Sequence, residues 1–156
     1  MLETLKHYHK PFSFFHCQDT IPLTTCDRLR SLFEKGHEWQ ERKESFYRCF
    51  LRDVSGDVPD ELKQKLVRRM REITGLPLTA HVHVTAQRME PGQWVGSHSD
   101  QPLLGYEIAR LVLQLNRNWA PENGGNLVLM KENDGKVIHE IPPYENHSFG
   151  FVLHPK

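Results

Sequence analysis

The feature that most constrains this chain is a change in hydrophobic period near Gly75. Before that glycine, apolar residues recur at spacings of three and four, which is typical of amphipathic helices. After it, short runs rich in β-branched and other apolar residues alternate with turn residues up to the end of the chain. A chain of 156 residues, 38% of them hydrophobic, can bury such faces around one core. We therefore expect a single domain over residues 1–156, mainly β with N-terminal helices.

Two helices are expected in the N-terminal half. The segment "PLTTCDRLRSLFEKG" offers Thr24 or Thr25 as an N-cap and Gly36 as a stop. The segment "VPDELKQKLVRRMREITG" places Pro59 at the first helical position and Gly75 just past the last one. The apolar stripe of this second helix consists of Leu62, Leu66, Val67, Met70 and Ile73.

The C-terminal half contains five runs that favour short strands. They are "AHVHVTAQRM", "ARLVLQLN", "GGNLVLM", "KVIHEI" and "SFGFVLH". The tripeptide "NDG" between "VLMKE" and "KVIHEI" is a strong signal for a hairpin turn. Helices followed by many short strands favour a jelly-roll-like double sheet with the helices packed on one sheet.

The charge balance and the cysteine content indicate which partners and which cellular compartment the sequence favours. Lys+Arg and Asp+Glu both count 20, so the formal net charge is zero and predicts no broad attraction to nucleic acid or to an anionic membrane. The three cysteines are an odd number without metal-type spacing, which fits reduced thiols. The N-terminus has the pattern of neither a signal peptide nor a membrane span. We expect a cytoplasmic protein with no nucleic-acid or membrane partner; oligomeric state cannot be read from the sequence.

The stretch "WVGSHSDQP" carries the chemistry that a site would need. His98 and Asp100 are separated by one residue, so in an extended segment both side chains point to the same side. One imidazole and one carboxylate are two of the three ligands of the facial triad that binds Fe(II) and leaves coordination positions open. An H-x-D tripeptide alone is common, and a solvated pair in a polar loop is its usual explanation.

Three segments in order give that tripeptide a context: "QRMEPGQWVGSHSD", "RLVLQLNRNWAPENGGNLVLM" and "IPPYENHSFGFVL". The order resembles the Fe(II)/2-oxoglutarate-dependent oxygenases, specifically their prolyl-hydroxylase-like branch. In that family a "Y-x-x-G" turn leads into "H-x-D", and a "Y-L-N-x-x-W" strand and a "G-G-x-L" hairpin follow. The likeness runs from about Gln87 to Leu153. It implies a double-stranded β-helix, the family's jelly-roll core.

The resemblance also implies a reaction. His98 and Asp100 would be the catalytic metal ligands for Fe(II), with 2-oxoglutarate as cosubstrate, O2 as oxidant and ascorbate as a reductant. The family hydroxylates an unactivated C–H bond and releases succinate and CO2. A carboxylate at position 100 favours hydroxylation over halogenation. The short chain favours a small molecule, an amino acid or a peptide as substrate.

The chain also departs from the family pattern. The second iron histidine, and the Arg or Lys that pairs with 2-oxoglutarate, would fall beyond Lys156, so we expect the chain to be truncated at its C-terminal end. Met89 and Gln114 stand where the family has tyrosines. Gln114 can still donate a hydrogen bond to 2-oxoglutarate, or it can face away from the pocket.

Alternatives remain open at this point. Three later histidines compete for the third ligand position, but each is better explained as structural or solvated: His139, His147 and His154. A jelly-roll binding module that has lost the third ligand is a second interpretation of the whole chain. A non-oxygenase metal protein with zinc on His98, Asp100 and a nearer histidine is a third.

Overall fold

The computed structural model describes residues 5–10, 12–35, 38–79, 81–100 and 106–153. Contacts divide the chain into two compact units: unit 1 comprises Met1–Asp27 and Gln101–Lys156, and unit 2 comprises Arg28–Asp100. In chain order the elements are β1 (Leu5–Tyr8), β2 (Phe14–Cys17), α1 (Leu23–Glu34), β3 (Gln40–Glu44), β4 (Tyr47–Asp53), α2 (Asp60–Thr74), β5 (Thr85–Arg88), β6 (Trp94–Val95), β7 (Ala109–Leu113), β8 (Leu127–Met130), β9 (Val137–Ile141) and β10 (Ser148–Val152).

Unit 1 contains a four-stranded antiparallel sheet in the order β1-β2-β10-β7. Phe151 lies opposite Phe14, and Phe149 lies opposite His16, so these side chains share one face of the sheet. The phenylalanines on that face are buried in a cluster with Ile141 and a leucine just after β10. The sheet therefore supplies one wall of the hydrophobic core of unit 1.

A second layer of unit 1 is the two-stranded antiparallel hairpin β8–β9. Leu127 and Leu129 of β8 pack against the phenylalanine cluster of the larger sheet. The hairpin turn is closed where the sequence predicted it, since the backbone N–H of Lys131 donates to the carbonyl of Lys136 at 2.9 Å. Gly135 in this turn has a φ of 65°, which a glycine adopts without steric cost. The "NDG" hairpin prediction is confirmed.

Unit 2 combines a small antiparallel sheet with α2. Strand β4 is central, because β3, β5 and β6 all pair with it. Four of the five predicted stripe residues of α2 are buried, and Leu66 is half-buried. Gly75 ends the helix in the left-handed conformation, and its N–H donates to the carbonyl of Arg71. The predicted stripe and stop of this helix are therefore confirmed.

The chain is mainly β with two α-helices, and both helices lie in the N-terminal half, but strands precede and separate them. β1 and β2 precede α1, and β3 and β4 separate the two helices. β3 has the sequence "QERKE" and is exposed throughout, so it shows no apolar alternation; it becomes a strand because β4 satisfies its backbone hydrogen bonds.

The predicted helix starts also differ from the observed ones by one to three residues. α1 begins at Leu23, so Thr24 and Thr25 lie inside the helix, and the predicted stop at Gly36 lies outside the described residues. Pro59 precedes α2 instead of occupying its first position. Within the described ranges, no helix has the length and apolar character to cross a bilayer.

Candidate functional site

The two predicted iron ligands follow β6 in unit 2. β6 pairs with β4, and just after it the N–H of Gly96 donates to the carbonyl of Phe46, in the turn between β3 and β4, at 2.5 Å. A Cβ on Gly96 would lie 2.9 Å from the Trp94 ring and 3.1 Å from that carbonyl oxygen. A glycine at this position lets the strand and the turn approach closely, and the chain then continues into His98.

His98 and Asp100 come together as their spacing predicts. The Nε2 of His98 lies 3.6 Å from the Oδ1 of Asp100, and the two side chains are 34% and 36% exposed. The Nδ1 of His98 lies 2.8 Å from the carbonyl oxygen of Gly96, which can only accept a hydrogen bond. Nδ1 therefore carries the hydrogen, and Nε2 is the nitrogen that faces the carboxylate. The Phe46 ring lies against the imidazole, with centroids 5.1 Å apart.

This arrangement fits two neighbouring ligands of a metal ion. The 3.6 Å between Nε2 and Oδ1 is too long for a hydrogen bond. Two ligands at right angles on an ion, each about 2.1 Å from it, are about 3 Å apart. A histidine ligand also commonly donates its other ring N–H to a backbone carbonyl, as His98 does to Gly96. A small closure would therefore bring the pair to ligand geometry.

The remaining ligands are not assigned. In the part of the chain that the structure describes, no three His, Cys, Asp or Glu side chains are grouped so that they could hold a metal ion. His154 lies outside the described residues. His139 and His147 belong to unit 1, whereas His98 and Asp100 belong to unit 2. Iron binding by His98 and Asp100 stays a prediction.

Gln114, the predicted 2-oxoglutarate contact, follows β7 in unit 1 and is half-buried. Its N–H donates to the carbonyl of His147 and its carbonyl accepts from the N–H of Asn146, both at 2.8 Å. Its Oε1 accepts from Asn116 Nδ2 at 3.3 Å, and the same Nδ2 donates to Pro143 at 2.8 Å. The backbone and amide oxygen of Gln114 are thus held in place, while its role towards 2-oxoglutarate stays a prediction.

A turn next to Gln114 contains a buried asparagine, whose structural role the sequence reasoning missed. We call Tyr144–His147 the Asn146 turn, because Asn146 is 2% exposed and has a φ of 65°. Its side-chain oxygen accepts from the N–H of Ile21, and its Nδ2 donates to the carbonyl of Ile21. The signal was present as an asparagine in "PYEN", since asparagine tolerates the left-handed conformation.

Three histidines of unit 1 form a second polar group, which we call the histidine cluster: His16, His139 and His147. The Nε2 of His16 lies 3.3 Å from the Nδ1 of His147, and the rings of His16 and His139 are 5.7 Å apart. Burial, then the nearby His147, His139 and Lys6, lowers the pKa of His16 to about 4. Burial also lowers the pKa of His139 and of His147 below the ordinary value. The cluster is therefore neutral near pH 7.

Comparisons with known proteins assign no family to this chain: no protein-family model matches it, and no curated protein matches it.

Proposed function

We propose that this chain belongs to an Fe(II)/2-oxoglutarate-dependent oxygenase that hydroxylates an unactivated C–H bond of a small molecule, an amino acid or a peptide. The observation that carries the proposal is the pair of His98 and Asp100. The Nε2 of His98 and the Oδ1 of Asp100, the two atoms that would bind the metal, are 3.6 Å apart. The backbone carbonyl of Gly96 fixes the tautomer of the histidine. A nitrogen and an oxygen ligand side by side, with open positions around them, are what this chemistry requires.

The strand pairing of unit 1 supports the jelly-roll part of the proposal. β7 pairs with β10, and β8 pairs with β9, so one antiparallel pair is nested inside the other along the chain. The two pairs lie in separate sheets whose apolar faces pack together. Nested antiparallel pairs split between two facing sheets are the pattern of a rolled-up jelly roll.

Each residue then has a defined task. His98 and Asp100 would hold Fe(II), and the carbonyl of Gly96 keeps the hydrogen on Nδ1 so that Nε2 is free to bind. The Phe46 ring restricts rotation of the imidazole. Gln114, oriented by Asn116, would donate a hydrogen bond from its NH2 group to a carboxylate of 2-oxoglutarate. Fe(II), 2-oxoglutarate and O2 would together supply the oxidising chemistry.

The test uses the natural protein that contains this chain. We expect it to bind Fe(II) anaerobically and to form succinate from 2-oxoglutarate when Fe(II) and ascorbate are present. His98→Ala and Asp100→Ala each remove a direct ligand, so the Kd for Fe(II) should rise at least about 100-fold. His81→Ala is the matched control, since His81 is an exposed histidine of the same unit. It should leave the Kd unchanged.

Other outcomes favour other functions. Tight zinc binding that depends on His98, without any succinate formation, would favour a metal protein that is not an oxygenase. Fe(II) affinity that is the same in the parent protein and in both ligand variants would contradict the proposal. No metal binding at all would favour the jelly-roll binding module.

A further inference from the structure

The histidine cluster and the Asn146 turn are physically joined. His147 is the last residue of the turn, and its ring contacts His16 of β2. Its carbonyl accepts the N–H of Gln114, and the carbonyl of Gln114 accepts the N–H of Asn146. The turn thus connects β2 to the residue that follows β7. A change at the His16–His147 contact therefore acts on the backbone of Gln114.

The contact depends on the charge state of the two rings. A hydrogen bond between two imidazoles needs one nitrogen that donates and one that accepts. The pair can take one extra proton on an outer nitrogen and keep that bond. A second proton must go to the accepting nitrogen, which leaves two N–H groups facing each other and two adjacent positive charges.

The surroundings of the cluster oppose such charging. Lys6 on β1 lies directly opposite His16 in the strand register and adds a positive charge. The aromatic ring of Tyr8 covers His139, and that of Tyr144 lies against His147. Asp19, just after β2, carries a negative charge that favours protonation of His147. Burial has a larger effect on that ring than Asp19 does.

We propose that the histidine cluster is an acid-sensitive latch: when neutral it holds the Asn146 turn against β2, and when its His16–His147 pair takes up a second proton it releases the turn together with the backbone of Gln114. The direction follows from linkage. Each of the three pKa values is lower in the folded chain than in the unfolded one. The stability of the latch is therefore complete above about pH 6.5 and is lost as the pH falls.

One consequence rests on the proposed function. If Gln114 contacts 2-oxoglutarate, opening of the latch weakens cosubstrate binding in acid. The latch itself does not depend on that role, because its hydrogen bonds lie within unit 1. It can be tested without iron or 2-oxoglutarate.

The experiment measures amide hydrogen exchange in the protein at about pH 7 and about pH 5, corrected for intrinsic exchange rates. We expect the protection factors of the Asn146 and Gln114 amides to fall at least about tenfold at the lower pH. The amide of Gly75, which ends α2 in unit 2, serves as internal reference and should change less than about twofold. His16→Gln, which stays neutral, should reduce the fall to less than about threefold. His9→Gln, an exposed histidine of the same unit, should preserve it.

Equal protection of Asn146 and Gln114 at both pH values would overturn the latch, as would a full loss of protection that persists in His16→Gln. If His16→Gln does not fold, NMR titration of the imidazoles in the parent protein decides instead. Protonation of His16 and His147 must then coincide with the loss of protection. Protonation of both rings without that loss refutes the proposal.

Discussion

Asn146 shows how much one side chain can do when its backbone adopts a conformation that few residues tolerate. Its positive φ turns the chain, and its amide makes the two hydrogen bonds to Ile21 that a neighbouring strand would otherwise make. A buried polar residue is informative because its burial costs free energy unless every polar atom has a partner. Asn146 therefore has a structural role in unit 1.

Replacing Asn146 with alanine should be costly. Asn146→Ala leaves the N–H and the carbonyl of Ile21 without their side-chain partners and places alanine at a φ of 65°. We expect a loss of about 3 kcal/mol in the free energy of unfolding, measured by urea denaturation. Asn118→Ala is the control, because Asn118 has a φ of 50° but is exposed, and it should cost about 1 kcal/mol. Equal losses in the two variants would show that the Ile21 contacts contribute nothing.

At this scale the sequence predicted part of the candidate site. The spacing of His98 and Asp100 was enough to predict that their side chains point to the same side of the chain. In the structure, the Nε2 of His98 lies 3.6 Å from the Oδ1 of Asp100. The spacing could not show that the carbonyl of Gly96 fixes the tautomer, because that contact depends on the local turn. The proximity of His16 and His147 was equally hidden, since 131 residues separate them and only the pairing of β2 with β10 brings them together.

The pairing of strands β2 and β10 depends on a glycine in β10, Gly150. Gly150 lies opposite Phe15 in the register, and a Cβ on Gly150 would collide with the Phe15 ring. The ring of Phe15 is 1% exposed, so it fills the space that the glycine leaves. The two residues therefore form one packing unit across the strands.

Gly150→Ala should consequently disturb the sheet of unit 1. The added methyl group forces Phe15 out of its position, and we expect a cost of at least about 2 kcal/mol in the free energy of unfolding. Gly56→Ala is the matched control, because among the described residues no atom beyond its chain neighbours lies within 4 Å of its Cβ position. That variant should be neutral or slightly stabilising, since alanine restricts the unfolded chain. A Gly150→Ala protein as stable as Gly56→Ala would mean that Phe15 moves at no cost.

The elements differed in how well they could be predicted, for physical reasons. α2 and the β8–β9 hairpin carry local signals, an apolar stripe with a glycine stop in one case and a turn tripeptide in the other. β3 carries none, because its five residues are polar or charged and exposed, and its conformation comes from the backbone of β4. Residues 81–84 of "AHVHV" alternate as a strand would, yet only Thr85–Arg88 pair with β4.

For the molecule as a whole, the lowered pKa values of the histidine cluster predict a stability that depends on pH. The unfolded chain binds more protons than the folded one below about pH 6.5, so the free energy of unfolding should decrease as the pH falls. The backbone N–H of Ser55 lowers the pKa of Asp53, which adds a loss in the same direction at more acidic pH. Urea midpoints measured at several pH values will check this.

Two histidine variants test whether His16 contributes to this dependence of stability on pH. His16→Gln removes a titrating group and should make the decrease between about pH 7 and about pH 5 shallower. His9→Gln should leave the slope unchanged, because His9 is exposed. A stability that rises towards pH 5 in the parent protein would contradict the assignment.

Unit 1 is built from two separate stretches of the chain, so its sheet cannot be completed during synthesis until the second stretch has been made. Ile21 and Asn146 are 125 residues apart, and β2 has no partner for its inner edge until β10 has been synthesised. At usual rates of translation that interval lasts about ten seconds. During it, Phe14 and Phe15 face water on a strand with an open edge, which is the situation in which nascent chains recruit chaperones or aggregate. Every strand of unit 2 that the structure describes, by contrast, has its partners within one continuous stretch of the chain, Arg28–Asp100.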